Sequence, residues 1–302
     1  MTSRPHCRRS PTLPPRLILG TAQFDGRYGI SRQSGPVSLR DLRNILTYAW
    51  STGIRTLDTA MAYGNVESML GNVGVKKWRV ITKIPLVPDE IENVDVWTQK
   101  LVEESLTRLK INSLAGVLVH YPHQLSGDLG RHIFHALAQL KSRTLVETIG
   151  VSIYCPSELP DILDSGDIDV VQAPMNILDQ RLRDSGWLSR LPTLGITLDV
   201  RSVFLQGLLL MDDTNRPIEF NNWNQIWTEW HSWLERESIT AIDACLGYIL
   251  SQDNVSRLVI GVESMEQLED LIQNSNPSSI KLPQGLSSND LNLIDPRRWL
   301  SS

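Results

Sequence analysis

Four side chains in this sequence can do acid–base chemistry together. Asp58 sits in the apolar run 55–60 (RTLDTA), and Tyr63 follows five residues later. Lys83 sits in the run 79–84 (RVITKI), and His120 in the run 115–121 (AGVLVHY). Singly, each has an ordinary structural explanation: a strand-end lysine is usually solvated or ion-paired, and a lone histidine is usually hydrogen-bonded. Jointly they describe a proton donor. A phenol, with a reference pKa of about 10, is a sluggish acid at neutral pH. A nearby ammonium stabilises the phenolate and lowers that pKa. A buried lysine needs a partner, which Asp58 supplies. A histidine can donate a hydrogen bond to a carbonyl oxygen. Such a cluster protonates an oxygen as negative charge develops on it, which is what reduction of an aldehyde or ketone requires. The hydride must come from a cofactor, because no side chain can supply one.

To bring these groups together, the chain must place several strand ends on one rim. Eight short apolar runs rich in Val, Ile and Leu recur at 16–21, 55–60, 79–84, 115–121, 148–153, 169–174, 197–203 and 257–262. Apolar residues on both faces are the mark of buried parallel strands. Helical periodicity fills the intervals: 38–53, with Ser38 as N-cap and Gly53 as its end, then 94–110, 223–237, and 264–275 opened by Ser264. Trp223, Trp227, Trp230 and Trp233 fall three or four residues apart, as on a helix face packed against a core. Eight alternations predict an α/β fold of the (β/α)8 type, a TIM barrel in a single domain spanning 16–302, after a basic, disordered N-terminal tail at 1–15. The rival doubly wound sheet would carry a GxGxxG turn after its first strand, and GTAQFDGRYG lacks that spacing. Active sites of such barrels lie at the strand C-termini, which adds Gln172 and Asn176 to the rim. The loops after the fourth and seventh runs read as short, predicting an open pocket for polar substrates. The stretch after 275 is expected to wrap over the barrel, with a short final helix.

Composition narrows the function classes. The chain has 302 residues, 41% hydrophobic and 21% charged, an ordinary soluble balance with a formal net charge of -5. No basic surface is implied, so no nucleic-acid partner is predicted. Three cysteines without CxxC spacing predict neither a metal site nor a disulfide framework, and point to a reducing, cytoplasmic setting. No run reaches the ~20 apolar residues of a membrane span, and the N-terminus lacks the apolar core of a signal peptide. Oligomeric state is left open.

Several blocks, in order, resemble the aldo-keto reductase family over roughly residues 16 to 274: LILGTAQF, GIRTLDTAMAYGNVESMLG, TKI, VLVHYP, IGVSIY, VVQAPMNILDQR and LVIGVESMEQLED. The resemblance implies a catalytic tetrad of Asp58, Tyr63, Lys83 and His120. Tyr63 would be the general acid, tuned by Lys83, which Asp58 holds, and His120 would orient the carbonyl. It implies a nicotinamide dinucleotide, NADP by family habit with NAD as the alternative. Thr21 and Asp58 would lie near the nicotinamide ribose, and Ser152 and Gln172 at the carboxamide. Arg201, Ser202, Phe204 and Gly207 would run along nicotinamide and pyrophosphate. Gly261, Val262, Glu263, Ser264, Gln267 and Asp270 would hold the adenosine end at a helix N-terminus suited to phosphate. Phe24, Tyr28, Tyr121 and His123 are expected to wall the substrate pocket, with a sugar-like carbonyl ranked above a steroid. Departures from the family pattern fall at Ile153, where an Asn is usual, at Arg201, where an aromatic residue commonly stacks, and at Glu263 and Gln267, where Arg or Lys commonly meets a 2'-phosphate. Two other readings compete: a nicotinamide-binding redox-sensing subunit with little turnover, and a Schiff-base enzyme using Lys83, against which Asp58 argues.

Overall fold

The structure is a computed structural model and describes residues 16–26, 35–274, 280, 282–283 and 285–299. The expected tail at 1–15 and the pocket candidate Tyr28 lie outside the described residues.

Eight parallel strands close into a barrel in chain order: β1 (Leu17–Gly20), β2 (Thr56–Asp58), β3 (Arg79–Ile84), β4 (Leu114–Val119), β5 (Val146–Ser152), β6 (Val170–Pro174), β7 (Thr197–Arg201) and β8 (Arg257–Gly261). Closure is made by β8 on β1, with Leu17 opposite Leu258 and Gly20 opposite Gly261. The helices between them are α1 (Leu39–Thr52), α2 (Val66–Val73), α3 (Val94–Leu109), α4 (Gly127–Ser142), α5 (Leu159–Ser165), α6 (Arg181–Asp184), α7 (Trp187–Thr193), α8 (Asn224–Glu237), α9 (Ala241–Leu250), α10 (Met265–Glu269) and α11 (Leu291–Ile294). This is the single-domain (β/α)8 barrel that the alternation predicts.

Local rules explain the boundaries. Ser38 accepts from the Asp41 amide to start α1, and Gly53 ends that helix with φ 106°. On α8 the tryptophan stripe faces inward, with Trp227, Trp230 and Trp233 buried. The described residues from 285 on lie back against the barrel, as expected of the end of the chain. The Ser288 amide donates to the Leu178 carbonyl at 2.8 Å, and Trp299 packs edge-on against Phe220 at 4.9 Å.

Strand alternation then sorts the residues by face. An outer shell of apolar side chains joins the strands to the helices. Ile18, Ile81, Ala115, Leu118 and Val170, with Val259, form a separate small cluster inside the barrel. Two residues beyond four of these, on the same inward face, come Gly20, Lys83, His120 and Gln172. The apolar plug is therefore the floor of the functional rim.

One expectation fails. The loop after β7 is long, covering 202–223, and holds 3-10 turns at Leu205–Leu210 and Ile218–Trp223. Its apolar LLL run looks like regular structure in sequence. Left-handed φ values at Ser202 (62°), Leu205 (48°), Gln206 (54°) and Gly207 (90°) fold it back instead. Positive φ is uncommon for residues other than glycine, and three of them in one segment mark backbone held in place by its surroundings.

Candidate active site

The centre of the rim is a buried ion pair. Lys83 donates to Asp58 Oδ1 at 2.5 Å and to the Thr59 carbonyl at 2.9 Å. The second carboxylate oxygen accepts from the Gln172 amide at 2.7 Å. Thr21 secures the end of β2, giving both its amide and its hydroxyl to the Asp58 carbonyl. Burial pulls the Lys83 ammonium below its ordinary value, while the Asp58 carboxylate pushes the other way. A charge so buried persists only with such partners.

Tyr63 lies over this pair, with the ammonium 5.4 Å from its ring centroid. His120 meets Tyr63 edge-on, ring centres 5.9 Å apart. Burial, and then the positive charges of Lys83 and Arg201, push His120 down to about 3, so its imidazole is neutral at ordinary pH. Its Nδ1 is buried without a hydrogen-bond partner, as is Gln172 Oε1. The four residues picked out by chemistry in the sequence thus form one contiguous group. Tyr121 and His123 continue the row outward, at ring separations of 5.1 and 6.1 Å.

Beside this group opens a cavity of about 690 Å³. Its lining includes Thr21, Asp58, Tyr63, Gln172, Arg201, Ser202, Phe204, Gly207, Gly261, Val262, Glu263, Gln267 and Asp270. Ser152 is buried next to Gln172 in the sheet register, off the lining. Ser264 is also off it: its hydroxyl caps α10 by accepting from the Gln267 amide, and the Gln267 side chain accepts from the Glu263 amide. Those two amides are thus already engaged. Arg201 donates to the Ile153 carbonyl at 2.9 Å and lies over the Tyr154 ring at 4.8 Å. It is the only Lys or Arg among the described lining residues, which it shares with Asp58, Asp212, Glu263 and Asp270. Arg257 is turned to Asp199 at the start of β8.

Phe24 corrects a sequence expectation. It is fully buried in the apolar core, within the 3-10 turn Ala22–Asp25. Its neighbour Gln23 takes the lining position and packs on Gly261, where a side chain would collide with it. Gln206, within the stretch 201–207 expected along the cofactor, lines the cavity, as do Met211, Asp212 and Asn215, which the expectation of a short loop leaves out. Gln23 stood within the quoted GTAQF run and had a signal; those last three had none.

The aldo/keto reductase family model matches residues 16–281. The chain belongs to this family. Pyridoxal 4-dehydrogenase of Microbacterium luteolum is 24% identical over 311 residues, covering 83% of this chain and 86% of that one. An aldo-keto reductase of a Mycobacterium species (strain JLS) is 31% identical over 178 residues, 58% of this chain and 63% of the relative. Among solved structures, an aldo-keto reductase of Bacillus halodurans superposes with a TM-score of 0.67 at 19% identity, over 92% of this chain and 98% of that one. Glycerol dehydrogenase of Gluconobacter oxydans gives 0.67 at 20%, over 87% of each. At such identities the structural likeness speaks for the fold. Membership makes the chain an oxidoreductase of carbonyl chemistry, in a family that generally uses NAD(P)H. No described helix is long and apolar enough to cross a membrane.

Proposed function

We propose that this chain is an NAD(P)H-dependent reductase of a small, polar aldehyde or ketone, sugar-like in character, with Tyr63 as the proton donor. The observation that carries the reading is the buried Lys83–Asp58 pair beneath the Tyr63 ring, with a neutral His120 at its edge.

The residues present fit a dinucleotide. The cavity falls within the range of cofactor sites. It runs from the tetrad to the β8 loop, and the orphaned Gln172 oxygen is a natural acceptor for a carboxamide amine. Thr21 and Asp58 would meet the nicotinamide ribose, with Ser152 behind Gln172. Arg201 would offer its guanidinium plane to the nicotinamide ring, since such a plane stacks on flat rings. The β7 loop would follow the pyrophosphate, and residues 261–270 would hold the adenosine. When bound, the nicotinamide supplies the hydride.

The chain's own residues do the rest. His120, uncharged, donates a hydrogen bond to the carbonyl oxygen and orients it. Tyr63 releases its proton to that oxygen as charge grows there, and Lys83 stabilises the phenolate left behind. Asp58 keeps Lys83 charged in a place where an unpaired ammonium would give up its proton. Run in reverse, Tyr63 is the base. Tyr121 and His123 would wall the substrate side. NADP remains the family habit, yet Glu263 stands where a 2'-phosphate would come, so NAD is a genuine rival.

Titration of the purified protein with NADPH and with NADH, followed by tryptophan fluorescence, tests the cofactor half. Micromolar binding of either is expected. Failure of both would refute the reading.

A further inference from the structure

The signature stretch 56–71 contains one acid that the chemistry above does not use. Glu67 is buried in α2 and is not on the cavity lining. Its Oε1 accepts from Thr82 on β3 and from Ser105 on α3, both at 2.7 Å. Its Oε2 accepts from Arg108 Nε at 2.8 Å and pairs with the other arm of that guanidinium at 2.7 Å. A buried carboxylate with four donors is a fixed point, because loss of any partner leaves a buried polar group unpaired. The contact between α2 and α3 is equally tight. A Cβ on Gly71 would stand 2.1 Å from the Arg108 carbonyl oxygen, so nothing larger than glycine lets the helices approach this closely.

Two neighbours give this fixed point a meaning. Thr82 precedes Lys83 on β3, pointing outward where Lys83 points inward. Tyr63 is joined to the first turn of α2 through its carbonyl, which accepts from the Val66 amide at 3.1 Å. The tyrosine arrives on a loop, whereas the lysine is fixed in a sheet.

We infer that Glu67 is a positioning residue: gripping Thr82 from outside the barrel, it holds the Tyr63 loop in register with Lys83. The inference rests on the roles proposed for Tyr63 and Lys83. Among the described residues, the charged and titratable groups around Tyr63 include Lys83 and His120, with Asp58 behind Lys83 and the Arg201 guanidinium acting on both Lys83 and His120. Around Glu67 the charged group is Arg108, which Glu104 also approaches at 3.9 Å.

Thr82 and Ser105 provide a matched test. Both hydroxyls are buried and both donate to the same oxygen at the same distance. Only Thr82 adjoins Lys83. A carboxylate that merely stabilised the fold would make Thr82→Val and Ser105→Ala equivalent. Glu67→Ala is avoided, because it would strand Arg108 and endanger folding. The Tyr63 phenol is titrated by tyrosinate absorbance in the wild type, Thr82→Val and Ser105→Ala, each read as the difference from the same protein carrying Tyr63→Phe. No substrate or cofactor is needed. In the wild type, Tyr63 should titrate below the ordinary phenol value. Thr82→Val should raise it by about half a unit or more as Lys83 loses its hold, while Ser105→Ala leaves it in place. Equal shifts in both variants, or no shift in Thr82→Val, overturn the positioning role while sparing the tetrad. A wild-type Tyr63 titrating at the ordinary value overturns both, since Lys83 would then not be tuning it.

Discussion

The two sides of the barrel mouth are built on different terms. On the side of β2, β3 and β4, Asp58, Lys83 and Thr82 are buried and multiply hydrogen-bonded, and the helices behind them touch through a glycine. On the side of β7 and β8 the wall is a long loop with three non-glycine residues at positive φ, and the carboxylates Asp212, Glu263 and Asp270 line it. The first side is preformed and the second is shaped to receive something. The contrast follows from what each has to do. Proton transfer depends on fixed distances between atoms of the chain, so strain or looseness there would cost rate. A wall that admits a large ligand gains its order from that ligand, and needs loops that carry unusual backbone conformations.

Four measurements would break or sharpen this contrast. The largest effect is expected at Tyr63. Tyr63→Phe should lower turnover by about 10²–10⁴-fold, while dinucleotide affinity stays within about threefold. A turnover within that same threefold would remove the proton donor from the preformed side.

Next comes acid sensitivity. His120 sits at about 3 when folded, against ~6.5 in an unfolded chain. The folded protein therefore binds fewer protons than the unfolded chain. This contribution to stability is complete above pH ~6.5 and is lost progressively as pH falls toward 3. His120→Gln should consequently lose less stability than the wild type between neutral pH and pH ~4. Denaturant midpoints at the two pH values measure the difference, and parallel losses in both proteins would contradict a buried neutral imidazole.

A smaller effect is expected behind the rim. Gly71→Ala should cost about 1–3 kcal/mol, because the added methyl forces α2 off the Arg108 carbonyl. Urea unfolding with an unchanged slope would register it. A neutral result would mean that the two helices have room to part.

The smallest concerns the open side. Glu263→Arg should tighten NADPH by about tenfold, through a charge-assisted bond to the 2'-phosphate. NADH binding should barely change. An unaltered NADPH affinity would show that Glu263 does not meet the phosphate.

The same contrast governs what could be read from sequence. Strands were legible because apolar runs on both faces have few alternatives, and Asp58, Lys83 and His120 stood out as polar residues at the ends of such runs. Glu67 belongs to the signature pattern, but its four donors come from two other elements, β3 and α3, and have no sequence signature. The β7 loop was misjudged because Leu208, Leu209 and Leu210 resemble regular structure, while three of the four positive φ values that bend it, at Ser202, Leu205 and Gln206, belong to residues with no special preference for them. Phe24 was assigned to the pocket because of its place after β1; whether a turn points its ring in or out depends on the neighbouring wall. On the receiving side, Arg201, Ser202, Phe204, Gly207 and residues 261–270 could be placed only through the family resemblance, and short-range pattern gives neither the length of the β7 loop nor Met211, Asp212 and Asn215.

The pairing of Leu17 with Leu258 has a consequence for how the protein is made. A sheet closed on itself has no edge, but only once its first and last strands meet. A ribosome must therefore release everything from β1 through β8 before the barrel can shut. Until then β1 waits with one flank unpaired, and every intermediate on the way presents apolar surface and an open strand. Such late, non-local pairing is slow and prone to aggregation. The yield of active protein is thus expected to respond to synthesis temperature and to chaperones that shield the growing sheet.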